Sequence, residues 1–168
     1  MNPMQKVRIE KLTLNIGSGK DQSRLERGLL IMKRLTNRDA IKTVSNKRIP
    51  GWGVRPGLAI GCKCTLRKDD AVALLDTLLQ AKDKVLTQGQ FDDNGNISFG
   101  IHEYIDIPGQ EYDPKIGAMG LQVCVTLEKP GARIKKRKLY KKKLPVQQRV
   151  SKDEAMQFMK EQYKVSIQ

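Results

Sequence analysis

Residues 57–67, read as G-L-A-I-G-C-K-C-T-L-R, constrain this chain more than any other stretch. Taken as a strand, the stretch has two unlike faces, because successive side chains point to opposite sides. Leu58, Ile60, Cys62, Cys64 and Leu66 make an apolar face able to seat helices. Ala59, Gly61, Lys63, Thr65 and Arg67 make a face that is small, polar or cationic and able to meet an anion.

The rest of the chain repeats that division. Residues 7–16 alternate like a strand, with Leu12, Leu14 and Ile16 on one side and Lys11, Thr13 and Asn15 on the other. Gly17-Ser18-Gly19-Lys20 then turns into a helix expected over 21–35, with Leu25, Leu29, Met32 and Leu35 as its buried stripe. Residues 37–44 are expected to end that helix and enter a second strand. Residues 45–56, S-N-K-R-I-P-G-W-G-V-R-P, are dense in Gly, Pro and cations and predict a protruding loop. A helix is predicted over 68–86, with Ala71, Leu74, Leu75, Leu78 and Lys82 sharing a face and Asp69 or Asp70 at its cap. Strands are predicted over 97–107 and 120–127, joined by a loop. Residues 133–143, R-I-K-K-R-K-L-Y-K-K-K, lack helical or strand alternation and are expected to be extended when free. Ser151-Lys152-Asp153-Glu154 is a capping-box signature that opens a closing helix, with Ala155, Phe158, Met159 and Tyr163 on its apolar side. The patterns predict a two-sided sheet, with one apolar face able to seat helices and the other face open. One domain over 1–168 is expected, with the protruding loop 45–56 and a basic segment 130–150, and no internal repeat.

Charge narrows the function. The 32 Lys and Arg stand against 18 Asp and Glu, a net +14, and eight of those cations lie in residues 133–143. Such an excess points to a polyanionic partner, nucleic acid or an acidic membrane surface. No apolar run approaches the roughly 20 residues that span a bilayer, and the basic run has no amphipathic stripe, so a membrane partner is not expected. The first ten residues lack an apolar signal-peptide core, and the cytoplasm is the expected compartment. The three Cys are odd in number and lie in strand-like patterns, which suits reduced, buried thiols.

Motifs for other chemistries fall short. The turn at Gly17 lacks the full G-x-x-x-x-G-K-[ST] pattern, so a tight strand-to-helix turn is the better reading than a nucleotide site. Cys62-Lys63-Cys64 has neither the spacing nor the second ligand pair of a zinc site, and no metal or other cofactor is expected. His102 has Glu103 and Asp106 nearby but no nucleophile in view, so an enzyme is not expected. The basic run bridges two ordered elements, which favours a nucleic-acid arm over a solvated tail. Aromatic residues are only 5% of the chain, and the polar strand faces carry none. That favours recognition of a folded RNA by shape and phosphate over base stacking. A free-standing RNA-binding regulator is the alternative reading; it predicts binding to many single-stranded RNAs.

Three stretches together carry a resemblance. Residues 8–17 (R-I-E-K-L-T-L-N-I-G), 60–67 (I-G-C-K-C-T-L-R) and 94–101 (N-G-N-I-S-F-G-I) resemble, in content and order, the family of large-subunit ribosomal protein five, called eleven in eukaryotes. The short start and the long basic end are similar to its archaeal type. The resemblance implies an α+β fold, an antiparallel-rich sheet with helices packed on one face and the open face binding RNA. It implies a structural constituent of the large ribosomal subunit that binds 5S rRNA and anchors it in the central protuberance, beside large-subunit protein eighteen. It implies contact with 23S-type rRNA, with P-site tRNA through the protruding loop, and with small-subunit protein thirteen. By motif, Lys11, Asn15 and Thr65 are the implied 5S-facing positions, with Lys63 on the same strand face. A further family contact, commonly Gln, matches Asn37-Arg38 here, where Arg38 is the candidate because guanidinium donors suit phosphate. Lys47, Arg48, Trp52 and Arg55 are the loop residues assigned to tRNA. Arg133, Lys135, Lys136, Arg137, Lys138, Lys141, Lys142 and Lys143 are assigned to other rRNA.

Overall fold

A computed structural model describes residues 2–168. The strands are β1 (Arg8–Gly17), β2 (Ile41–Val44), β3 (Ala59–Leu66), β4 (Val85–Leu86), β5 (Asn96–Ile101), β6 (Leu121–Glu128) and β7 (Ser166–Ile167). The helices are α1 (Gln22–Thr36), α2 (Asp69–Gln80), α3 (Arg133–Lys136) and α4 (Lys152–Tyr163). Five strands form one antiparallel sheet in the order β2-β3-β1-β6-β5, and β4 pairs with β7 in parallel. The class is α+β, as expected.

The alternation predicted for β1, β3 and β6 holds along most of each strand, but in β3 Ile60 is only half-buried and Gly61, on the polar side, is buried. Leu12, Leu14, Cys62, Val123 and Val125 are fully buried, while Lys63, Thr65 and Gln122 are exposed. By residue contacts the chain divides into two compact units, 1–12 with 67–99 and 124–168, and 13–66 with 100–123. In the second unit α1 lies on the apolar side of β3. A Cβ on Gly28 would stand 3.2 Å from the Cys62 sulfur and 3.3 Å from Ile16 Cγ2, so a residue without a side chain lets helix and strand approach. In the first unit Leu75, Leu78 and Leu79 of α2 and Ala155 and Met159 of α4 are wholly buried.

Several expectations need correction. The buried stripe of α1 is Leu25, Gly28, Ile31 and Met32, with Leu29 and Leu35 only half-buried. The helix is capped by the Asp21 carboxylate, which accepts from the Ser23 and Arg24 N–H groups, and it ends at Asn37 in the left-handed region. Helix α2 stops at Gln80, not near residue 86, because Asp83 and Lys84 both take positive φ and Val85 turns to pair with Ser166. Its N-cap is Lys68, and Asp69 and Asp70 fall in the first turn. Strand β5 ends at Ile101, and the chain turns so that Tyr104, 1% exposed, enters the core. There the Tyr104 hydroxyl accepts from the Asp113 N–H at 2.8 Å. Cys62 and Cys64 are buried, but Cys124 is exposed because it alternates with Val123 and Val125. The basic run is not extended: it opens with the helical turn α3.

Candidate nucleic-acid interface

The candidate surface begins with the polar sides of the central strands. In the second unit Lys63 and Thr65 of β3 are exposed, and Asn15 of β1 is half-buried. The Asn15 side-chain amide donates to Gln122 Oε1 at 3.0 Å, which orients both carboxamides from neighbouring strands. Arg38 is exposed on the turn between α1 and β2, where its N–H meets Thr36 Oγ1 at 3.3 Å. In the first unit Lys11 is half-buried on β1.

The protruding loop is a built element. The Ile49 and Val54 backbones bridge at 2.9 and 3.1 Å, and Pro50–Trp52 make a single 3-10 turn closed by Gly53 at φ 67°. Ser45 Oγ donates to the Lys47 carbonyl at 2.8 Å, and the Gly57 N–H returns to the Ser45 carbonyl at 2.8 Å. This frame holds Lys47, Arg48 and Arg55 exposed and leaves Trp52 72% exposed.

The basic segment is fastened to the first unit by charge. Glu128 accepts from Arg8 at 2.8 Å and from Lys136 at 2.7 Å. Glu10 takes the same Lys136 ammonium at 2.7 Å and lies 3.6 Å from Arg67. Burial pushes the Glu128 pKa up, but the hydrogen bonds from Lys136 and Arg8 outweigh it and hold the group below its ordinary value. Burial pulls Lys136 down, and its bonds to Glu10 and Glu128 more than reverse that. Lys136 is therefore charged but already engaged by two carboxylates. Further along, the Lys142 N–H donates to the Ile134 carbonyl at 3.3 Å, so the run doubles back on α3. Gln148 donates to the Pro130 carbonyl at 2.7 Å. Lys129, 6% exposed, donates to the Arg149 carbonyl at 3.1 Å and to Glu154 at 2.7 Å.

Between this folded segment, the turn at residues 94–96 and the ends of β1 and β6 lies a cleft of about 1070 Å³. Eight lysine and arginine side chains line it against two glutamates, all from the first unit. Lys11, Lys135, Lys136, Lys141, Lys142 and Lys143 thus share one space. Arg133, Arg137 and Lys138 are exposed but do not line the cleft. Sequence reasoning missed Lys129, Gln148 and Arg149. Lys129 carried a signal, as a lone cation at the end of the alternating run 121–128, but its Glu154 partner lies 25 residues away. Among the described residues no group of three His, Cys, Asp or Glu is placed to hold a metal ion. None of their helices is long and apolar enough to cross a membrane.

Fold and charge together define a class: a basic α+β protein with one sheet face buried, the other polar, and a cationic cleft. Comparison with known proteins names the family. The model described as "Ribosomal protein L5" matches residues 2–55, and the model of the same family's C-terminus matches 59–162. The chain is 45% identical to large ribosomal subunit protein uL5 of Methanosphaera stadtmanae over the full length of both chains. It is 44% identical to uL5 of Sulfolobus acidocaldarius, covering 99% of this chain and 93% of that one. The chain belongs to the ribosomal protein L5 family, in its archaeal type, and is a structural protein of the large ribosomal subunit.

Proposed function

We propose that this protein binds 5S rRNA with the open face of its sheet, through Lys11, Asn15, Lys63 and Thr65 with Arg38 at the margin, and anchors it in the central protuberance. The observation that carries the reading is the two-sided sheet. Leu14 and Cys62 are fully buried while Thr65 and Lys63, from the same sheet, stand in solvent. In a chain of net charge +14, a polar and cationic sheet face without bulky aromatics suits the backbone and grooves of a folded RNA. Residues 1–168 act as one binding domain in this reading. The basic segment works on ribosomal RNA, including the 23S type. The loop 45–56, with Trp52 and three cations outward, reaches P-site tRNA. Large-subunit protein eighteen and small-subunit protein thirteen are its protein neighbours, and its compartment is the cytoplasm.

The test is retention of 5S rRNA by large subunits, together with titration of a 5S transcript against excess tRNA. Asn15→Ala with Thr65→Ala should weaken the 5S complex several-fold, while shortening the 45–56 loop should leave it within about threefold, since phosphate and base contacts are local to each surface. Unchanged 5S affinity in the double variant, or a large loss on shortening the loop with the fold intact, refutes the assignment.

A further inference from the structure

We infer that a single stretch of RNA backbone lies in the cleft, gripped from the sheet by Lys11 and from the opposite wall by Lys141, Lys142 and Lys143. The inference rests on the RNA-binding reading above and deepens it. The sequence alone assigns Lys11 and the basic run to different RNAs.

The wall's construction carries the argument. A free arm would sample many positions and meet whatever RNA lay nearby. This one is tied at both ends: Lys136 to Glu10 and Glu128 at 2.7 Å each, and Gln148 to the Pro130 carbonyl at 2.7 Å. The bond from the Lys142 N–H to Ile134 folds its middle back, and Lys141, Lys142 and Lys143 line the same cleft as Lys11. The two carboxylates in the lining are both occupied by cations, so they repel an incoming phosphate less than bare ones would. Among the described residues no carboxylate pairs with Lys11 or with the three lysines of the wall. The occupant's chemistry follows from size and charge. Small-ligand pockets are mostly apolar and enclose about 300–1,000 Å³. At about 1070 Å³ this cleft lies just above that range, and eight of its eighteen lining residues are lysine or arginine against two glutamates. A polymer of phosphates meets that description, and a segment whose backbone is already folded and tied binds it without first being ordered.

The experiment compares salt slopes on two transcripts, 5S rRNA and a central-protuberance fragment of 23S-type rRNA. The full-length protein, Lys11→Gln and the triple variant Lys141→Gln/Lys142→Gln/Lys143→Gln are titrated, with thermal melts to show that each is folded. Each lost phosphate contact lowers the slope by about 0.9, taking duplex DNA as the guide. Lys11→Gln should therefore lower the slope by about one, and the triple variant by about two to three, on the same transcript. If one transcript responds to Lys11 and the other to the triple variant, or the triple variant changes neither, the shared groove is refuted. If both variants act on the 23S-type fragment and 5S rRNA does not bind, the 5S assignment falls and the groove stands. Binding to neither transcript above tRNA removes both.

Discussion

The buried ammonium of Lys129 makes an asymmetric prediction about stability. Its side chain is 6% exposed, and Glu154, at 42%, supplies the only carboxylate in contact with it among the described residues. Glu154 also closes the capping box of α4, its other oxygen accepting from the Ser151 N–H at 3.1 Å. Glu154→Ala leaves a buried cation with one carbonyl partner. Breaking a buried pair in this way costs about 3–5 kcal/mol, and the partial exposure of Glu154 argues for the lower end. Loss of the reciprocal cap and of a carboxylate in the first helical turn adds about 0.5–1 kcal/mol. The sum is about 3–4 kcal/mol. Lys129→Met is a different change. It removes the charge that needs a partner, keeps most of the buried volume, and leaves a carboxylate that reaches water and still caps the helix. Replacing a buried charge by an apolar group of similar shape is often near neutral, so about 1 kcal/mol or less is expected. Denaturant melts of Glu154→Ala, Glu154→Gln and Lys129→Met against wild type should rank by loss: alanine most, glutamine between, methionine least. Equal costs for Glu154→Ala and Lys129→Met, or a larger cost for methionine, would show that the pair acts as net attraction and not as a rescued charge.

The two sheet faces should fail differently: Leu14→Ala empties a fully buried site and should cost about 2–5 kcal/mol. Asn15→Ala with Thr65→Ala should cost about 1 kcal/mol, including the Asn15–Gln122 bond, and comparable melts for both proteins would contradict the face assignment. A Cβ at Gly61 would lie 2.6 Å from the Ile16 carbonyl, and backbone cannot yield as a side chain does, so Gly61→Ala should lower the melting temperature by several degrees. A wild-type melt for that variant would mean the strands separate there at no cost. Stability should also fall in acid. Burial raises the pKa of Glu128 and Glu154, and cationic hydrogen bonds more than offset it in both. Each then binds fewer protons folded than unfolded. Its contribution is complete above the unfolded value of about 4.3 and drains away as pH falls through the lower folded value. Lys136, shifted up, loses its contribution only in strong alkali. Glu128→Gln with Glu154→Gln should flatten the acid limb of stability against pH, and an unaltered limb would exclude these two groups.

Much of the fold was legible because strand alternation is a local code. Residues 57–67 separate Cys62 and Cys64 from Lys63 and Thr65 by side-chain period alone, and the structure keeps that division. The capping box at Ser151 and the loop at 45–56 are local in the same sense. The two misjudged element ends share one cause. Helical periodicity continues past Gln80, but the chain leaves the helix so that Val85 can pair with Ser166, a partner 81 residues on. The run 97–107 carries apolar residues at 97, 99, 101, 105 and 107, yet the strand ends at Ile101 and the chain turns to bury Tyr104, whose hydroxyl accepts from the Asp113 N–H.

The basic segment shows where sequence stops and tertiary structure begins. Composition alone dictates a strongly cationic stretch and therefore a polyanionic partner, since net charge is a sum over residues and needs no coordinates. Which of its charges face outward is decided by contacts. Lys136 and Lys142 look alike in the run R-I-K-K-R-K-L-Y-K-K-K and both line the cleft, yet Glu10 and Glu128 engage the ammonium of the first, while among the described residues no carboxylate pairs with the second. Local pattern determined the strands, their two faces and the sign of the surface. The cleft, the tie of Lys136 to Glu10 and the buried Lys129 pair depend on residues that only the folded chain brings together, and local pattern does not register such partners.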